Sequence, residues 1–168
     1  MNNMFMNHSE LIIDGLKLGD KIGGPTKLAM ILNESLKARN GFDKYDLTSR
    51  YLEWWKNGAF DTGLTFASVF QKVLNGSSIE KAAKEVHQKV NGLTAGCGPA
   101  HRIAPLAAVK DYSINQLIEF SREEARLTHY HPDAGNCSAV MVLLCRYLLE
   151  GNTWDETKKL ISKNHCLK

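Results

Sequence analysis

The sequence predicts an all-α fold, and three observations support that prediction. Apolar residues recur with a helical period along most of the chain, and no segment alternates apolar and polar residues at a strand-like length. Capping sequences also precede several of the apolar segments. The pattern indicates about seven to nine helices. No internal repeat or linker divides the 168 residues, so we expect a single domain over residues 1–168.

Two helices are predicted in the N-terminal part of the chain. Pro25 occupies a position where a first-turn proline is tolerated. It precedes an apolar stripe formed by Leu28, Ile31, Leu32 and Leu36. A shorter helix then carries three large aromatic residues, Tyr51, Trp54 and Trp55. We expect their rings to fill core or inter-helix space and not to form a binding platform.

Stop and start signals bound the helices in the middle of the chain. Residues 75–76, Asn-Gly, end a helix whose apolar stripe is formed by Phe66, Val69, Phe70, Val73 and Leu74. Ser77 with Glu80 reads as a capping box, with Ser77 as the N-cap of the next helix. The same pairing recurs before two later helices, in Ser113 with Gln116 and in Thr153 with Glu156.

The segment 132–150 is predicted to be the central helix of the bundle. Pro132 stands in its first turn, and the segment is apolar on nearly every side from Ala139 onward. It also carries small residues that let neighbouring helices approach closely, namely Ala134, Gly135, Ser138 and Ala139. We therefore expect it to be the most buried helix.

Composition excludes several classes of protein. Apolar residues make up 43% and charged residues 23% of the chain, which is typical of a folded domain. A net charge of +3, spread along the chain, is too weak to indicate a nucleic-acid partner. The longest fully apolar stretch, 139–145, cannot span a bilayer, and no signal peptide is recognised. We expect a soluble cytoplasmic protein with reduced thiols at Cys97, Cys137, Cys145 and Cys166.

Two glycine-rich joints, at residues 19–26 and 96–102, each lead into a predicted helix. Glycines let the backbone approach a ligand closely, and a helix N-terminus offers free N–H groups to an anion. The second joint adds the positive charge of Arg102. A phosphate, pyrophosphate or carboxylate would suit either joint. The alternative is that both joints are turns between helices, with Arg102 in a structural ion pair.

Cysteine and histidine residues suggest two further alternatives. Cys97 lies between glycines at a helix start, with His101 four residues later, which is a setting for a cysteine-dependent hydrolase. His129 and His131 could ligate zinc with Cys137 or Cys145, although this spacing matches no closed zinc site. We favour a simpler role, in which one histidine donates a hydrogen bond to a ligand or caps the following helix.

The order of these motifs resembles the ADP-ribosylglycohydrolase family, including its crystallin-like relatives. Residues 15–20 are similar to the family's opening G-x-x-x-G-D, and residues 26–36 resemble the helix after its threonine–aspartate–aspartate motif. Residues 61–65 look like its D-x-G-x-T. Residues 96–106 and 128–132 resemble its G-N-G-x-x-x-R-x-x-P-L and T-H-x-x-P segments. The resemblance extends from about Leu11 to about Ile161.

The resemblance implies an orthogonal multi-helix bundle of the ADP-ribosylglycohydrolase type that binds ADP-ribose. Such proteins hydrolyse the N- or O-glycosidic bond between ADP-ribose and a protein side chain or small acceptor. By position, Gly96, Cys97 and Gly98 would offer backbone contacts to the pyrophosphate. Arg102 would support this segment, and His129 would face the ligand as a hydrogen-bonding group.

The resemblance also implies a pair of magnesium ions, with Thr26 in the position of a metal-ligating threonine. The family's two aspartates are replaced here by Gly24 and Pro25, and its later D-x-D motif does not occur in the sequence. Magnesium prefers carboxylate and other hard oxygen ligands, so the ligand set is incomplete. We expect either the N-terminal part of the family fold or a divergent branch. The alternative function is a non-catalytic ADP-ribose-binding or structural relative.

Overall fold

The computed structural model describes the backbone of residues 3–164 and the side chains of residues 8–164. This part of the chain forms nine α-helices and one 3-10 helix and contains no strand. In chain order they are α1 (Asn3–Asp20), α2 (Gly24–Arg39), α3 (Lys44–Lys56), α4 (Leu64–Leu74), α5 (Ile79–Lys89), α6 (Gly98–Arg102), the 3-10 helix (Ala104–Ala108), α7 (Ile114–Arg126), α8 (Pro132–Leu149) and α9 (Trp154–Lys163). The prediction of an all-α fold is confirmed.

Most of the predicted helix ends are confirmed, and one is displaced by a residue. Ser113 and Thr153 each form a complete capping box at the start of α7 and α9. For α5, however, the N-cap is Ser78 and not Ser77, because the Ser78 hydroxyl accepts a hydrogen bond from the N–H of Lys81. Ser77 instead belongs to the end of α4, where its N–H donates to the carbonyl of Lys72.

The core is centred on aromatic rings from α3 and α4. Tyr51, Phe66 and Phe70 are completely buried, and the rings of Phe66 and Phe70 stack with their centroids 4.4 Å apart. Trp54 and Trp55 are partly buried and pack against the same cluster. The prediction that these rings fill core space is confirmed.

Helix α8 is the packing partner of α6, α7, α9 and the 3-10 helix. Its contact with α7 is close, since a Cβ atom on Gly135 would lie 3.2 Å from the side chain of Arg122. Gly135 therefore allows the close approach of a neighbouring helix, as the sequence predicts for the small residues of α8. Burial is confined to one face of the helix, however, because Met141 and Leu148 remain exposed at its other side.

Residues of both glycine joints border the same cavity. Helix α6 packs against α2 and α8. A mainly apolar cavity of about 460 Å³ is bordered by Asp20 and Pro25 from the first joint and by Ala100 and His101 from α6. Joints that are about 75 residues apart in sequence are thus neighbours in space.

Three of the four cysteines lie in the described part of the chain. Cys97 and Cys137 are exposed, Cys145 is partly buried, and all three are free thiols. Cys166 lies outside the described residues. Among residues 3–164, no helix is both long enough and apolar enough to cross a membrane.

Candidate functional site

Arg102, the last residue of the second glycine joint, has its side chain buried in the core. Cys97 is the N-cap of α6, Pro99 stands in the first turn, and the helix ends at Arg102 after five residues. Pro99 and Arg102 are buried, whereas Gly96 and Cys97 lie at the surface. The short helix therefore anchors an exposed glycine segment, Gly96–Gly98, by inserting an arginine beneath it.

Arg102 forms a fully buried ion pair with Glu124 of α7. The distance from Arg102 Nε to Glu124 Oε1 is 2.6 Å, and the two side chains are 1% and 0% exposed. The hydroxyl of Tyr51 donates to the same carboxylate oxygen at 3.0 Å. The guanidinium carbon also lies 5.5 Å from the centre of the Tyr51 ring. Burial, together with the Glu124 charge, raises the pKa of Tyr51 well above its ordinary value, so the phenol stays a hydrogen-bond donor.

The buried arginine extends the network to the segment after α7. Its Nη2 donates to Thr128 Oγ1 at 2.9 Å, and Thr128 Oγ1 lies 2.8 Å from His129 Nδ1. His129 is 5% exposed. Burial, with a smaller contribution from the Arg102 charge, lowers the pKa of His129 from 6.5 to about 3. The imidazole is therefore neutral at physiological pH.

The other edge of the imidazole faces the glycine segment. A Cβ atom on Gly96 would lie 3.1 Å from His129 Nε2, and one on Gly98 would lie 3.3 Å from His129 Cε1. Side chains at these positions would crowd the ring. The two glycines therefore let the backbone of this segment pack closely against the imidazole.

The structure thereby brings together four of the predicted ligand-binding residues. Gly96 and Gly98 form the rim with Cys97 between them, and His129 lies beneath that rim. Arg102 is held in the ion pair that the sequence left open as an alternative. Its Nη2 is linked to His129 through Thr128, and its Nη1 lies 3.9 Å from the point where a Cβ atom on Gly98 would be.

Cys97 and His101 are not joined as a nucleophile and its base. Both side chains are exposed, and no side-chain hydrogen bond connects them in the described chain. Helix α6 has five residues, so its N-terminal dipole is small. The cysteine-dependent hydrolase receives no support from this arrangement.

The first glycine joint brings two carboxylates to the start of α2. Asp20 Oδ2 accepts a hydrogen bond from the Thr26 N–H at 3.0 Å and lies 2.8 Å from the Thr26 hydroxyl. Asp61, from the segment before α4, accepts the N–H of Gly24 at 3.1 Å. A Cβ atom at Gly24 would collide with the carbonyl of Asp61. The glycine therefore permits the close approach of these two segments.

This joint does not fit the pair of magnesium ions that the resemblance implies. Thr26 is completely buried, and its hydroxyl is directed at Asp20 and the carbonyl of Leu16. Gly24 and Pro25 add no carboxylate. Within the part of the chain that is described, no three histidine, cysteine, aspartate or glutamate side chains are grouped to hold a metal ion. Magnesium requires near-octahedral coordination by hard oxygen ligands, which these residues do not assemble.

His131 has a structural role. It is the N-cap of α8, and its Nδ1 accepts a hydrogen bond from the N–H of Asp133 at 3.2 Å. The backbone N–H of His131 donates a hydrogen bond to Thr94 Oγ1. The suggestion that one of the two histidines caps the following helix is confirmed. Among the described residues, His131 is not grouped with Cys137 or Cys145 in a cluster that could hold a metal ion.

The sequence reasoning missed Glu124, Tyr51 and Thr128 as parts of the network. The helical spacing could have indicated that Glu124 is buried. Glu124 lies on the same face of α7 as Leu117 and Ser121, and this face is buried. A charged residue on an apolar helix face requires a buried partner. The sequence alone did not indicate that Arg102 is that partner.

A comparison with known protein families agrees with this geometry. The profile described as ADP-ribosylglycohydrolase matches residues 13–165, which is most of the chain. The matched range includes both glycine joints, the buried Arg102–Glu124 pair and His129, and the all-helical architecture is consistent with that family. The chain therefore belongs to the ADP-ribosylglycohydrolase family, whose function is that of a hydrolase.

Proposed function

We propose that the protein binds an ADP-ribosyl group at the glycine segment Gly96–Gly98 and acts on the glycosidic bond that links this group to a protein side chain or a small acceptor. The pyrophosphate would lie on the backbone of this segment. His129 would donate a hydrogen bond to the ligand from beneath it. Arg102 would act indirectly, by holding Thr128 and His129 in place.

One observation carries this proposal. The imidazole of His129 is buried and oriented by Thr128, while its Nε2 lies directly beside the backbone of Gly96 and Gly98, where any side chain would crowd the ring. A neutral donor next to an exposed, glycine-rich backbone is suited to an oxygen-rich ligand such as a pyrophosphate. The family assignment supports ADP-ribose as the source of that pyrophosphate.

A second candidate is a non-catalytic protein that binds the same group. It is favoured by the first joint, where the hydroxyl of Thr26 hydrogen-bonds to Asp20 and is not free to coordinate a metal ion. We infer that ADP-ribose binding by this chain does not require magnesium. The two candidates differ in turnover and agree in the binding site.

Calorimetric titration with ADP-ribose tests the shared binding site. We expect binding that is unchanged by EDTA and weakened at least about tenfold by Gly96→Ala, whose Cβ would lie 3.1 Å from His129 Nε2. Gln88→Ala, an exposed position on α5 away from both glycine joints, is the control. A folded protein that binds no ADP-ribose at millimolar concentration would refute both candidates.

Turnover then separates the two candidates. The protein is incubated with an ADP-ribosylated protein, and released ADP-ribose is measured by chromatography. Release that is lost in Gly96→Ala and kept in Gln88→Ala would identify a hydrolase. Binding without release would identify the non-catalytic protein.

A further inference from the structure

We propose that Thr128 is a positioning residue that fixes His129 as the tautomer with hydrogen on Nε2, so that the imidazole offers a neutral donor to an acceptor oxygen of the bound ligand. The identity of that ligand rests on the proposed function, whereas the tautomer follows from this chain's own contacts. Those contacts lead from Arg102 through Thr128 to His129.

The hydroxyl of Thr128 accepts a hydrogen bond from Arg102. A guanidinium only donates hydrogen bonds, so the bond from Arg102 Nη2 at 2.9 Å makes Thr128 Oγ1 an acceptor. Glu124 holds the other side of the guanidinium through Nε at 2.6 Å, which fixes the direction of this bond. The single hydroxyl hydrogen of Thr128 is then directed away from Arg102.

The position of that hydrogen assigns the nitrogen atoms of His129. Thr128 is completely buried, and His129 Nδ1, at 2.8 Å, is the described atom in position to accept its hydroxyl hydrogen. If Nδ1 carried a hydrogen instead, Thr128 would have to accept twice, and its own hydrogen would be left without an acceptor among the described residues. A buried donor without an acceptor is unfavourable. The lone pair is therefore on Nδ1 and the hydrogen on Nε2.

The Nε2–H group is what the ring offers to a ligand. Nε2 lies on the side of the glycine segment, 3.1 Å from the point where a Cβ on Gly96 would be. No described residue accepts a hydrogen bond from it. Both nitrogens are thus assigned, one to Thr128 and one to the ligand. His129 then serves as a donor and not as a general base, because its lone pair is occupied.

The chemistry of the ligand is limited by this assignment. The group above His129 must present an acceptor oxygen, which a phosphoryl oxygen of a pyrophosphate supplies and an ammonium or amide N–H group does not. Arg102 strengthens the Nε2–H group of His129 as a hydrogen-bond donor without contacting it. The Arg102 charge polarises the Thr128 hydroxyl, and this hydroxyl in turn binds Nδ1 of the imidazole. The cation thereby contributes to ligand binding while remaining buried.

The tautomer is measured in the full chain without ligand, by long-range ¹H–¹⁵N correlation on protein labelled with ¹⁵N-histidine. We expect His129 Nδ1 to resonate as an unprotonated nitrogen and Nε2 as a protonated one near neutral pH. Thr128→Val should redistribute the tautomer, and Thr128→Ser should restore it because the serine keeps the hydroxyl. A hydrogen on Nδ1 in the wild type, or an unchanged tautomer in a folded Thr128→Val, would overturn the assignment.

Ligand affinity supplies a second readout. Thr128→Val should weaken ADP-ribose binding about tenfold, the equivalent of one lost hydrogen bond, with Thr128→Ser close to the wild type. Equal affinities for the wild type and a folded Thr128→Val would overturn the positioning role. Failure of the wild type to bind ADP-ribose would refute the proposed function, while the resonances of Nδ1 and Nε2 would still decide the tautomer.

Discussion

The buried His129 makes the stability of the protein depend on pH in a predictable direction. Its pKa in the folded state is lowered from 6.5 to about 3, first by burial and then by the Arg102 charge. Between these two pH values the unfolded chain binds a proton that the folded chain does not. The free energy of unfolding therefore suffers no loss from His129 above pH 6.5, and it decreases progressively as the pH falls toward 3.

The size of the effect follows from the difference between the two pKa values. Each pH unit between them changes the free energy of unfolding by about 1.4 kcal/mol. For this histidine the loss between pH 7 and pH 5 is about 2 kcal/mol, and complete titration would cost about 5 kcal/mol. Domains of this size are stable by about 5–15 kcal/mol, so the change at pH 5 is measurable in a folded protein.

Urea unfolding at pH 7 and pH 5 measures the effect in the wild type and in His129→Gln. Glutamine stays neutral, so the difference in unfolding free energy between wild type and variant should shrink by about 2 kcal/mol at pH 5. His101→Gln, in the exposed part of α6, is the control and should follow the wild type at both pH values. An equal pH dependence in wild type and His129→Gln would refute the reasoning.

Three further predictions concern the buried network and the first glycine joint. Arg102→Met leaves the Glu124 carboxylate buried without its cation and should cost about 3–5 kcal/mol in urea unfolding. Adding Glu124→Leu should recover most of that loss, so additive losses would contradict the pairing. Tyr51→Phe removes one hydrogen bond to the carboxylate and should cost about 1–2 kcal/mol in the same assay; no loss would argue against that bond. Asp20→Ala leaves the N–H of Thr26 unpaired, while the Thr26 hydroxyl keeps the carbonyl of Leu16 as acceptor, and should cost about 1–3 kcal/mol by thermal unfolding, whereas a neutral result would show that this contact is unimportant.

Local sequence patterns were sufficient to predict most of the helices, although α1 was not among those predicted. The capping boxes at Ser113 and Thr153 and the first-turn prolines act over a few residues, so they can be recognised without tertiary information. The displaced cap of α5 shows the limit of this reasoning. Ser77 and Ser78 are equally good capping residues, and the choice between them depends on the hydrogen bond that closes α4.

The candidate site was predicted in part, because its rim is local and its support is not. The glycine segment and His129 were found from motifs, whereas the ion pair joins residues 22 positions apart and the Tyr51 bond joins residues 73 positions apart. Asp61 likewise reaches Gly24 across 37 positions. Such contacts depend on how the helices pack, which no local pattern encodes.

The central claim is that ADP-ribose binds where the glycine segment meets the neutral His129. It is tested most directly by titrating ADP-ribose into ¹⁵N-labelled protein and following the amide signals of Gly96 and Gly98 together with the Nε2–H of His129. We predict that these signals change most, in one saturable transition and equally with and without EDTA. Unchanged signals at millimolar ADP-ribose, or saturable changes confined to another part of the fold, would contradict the claim.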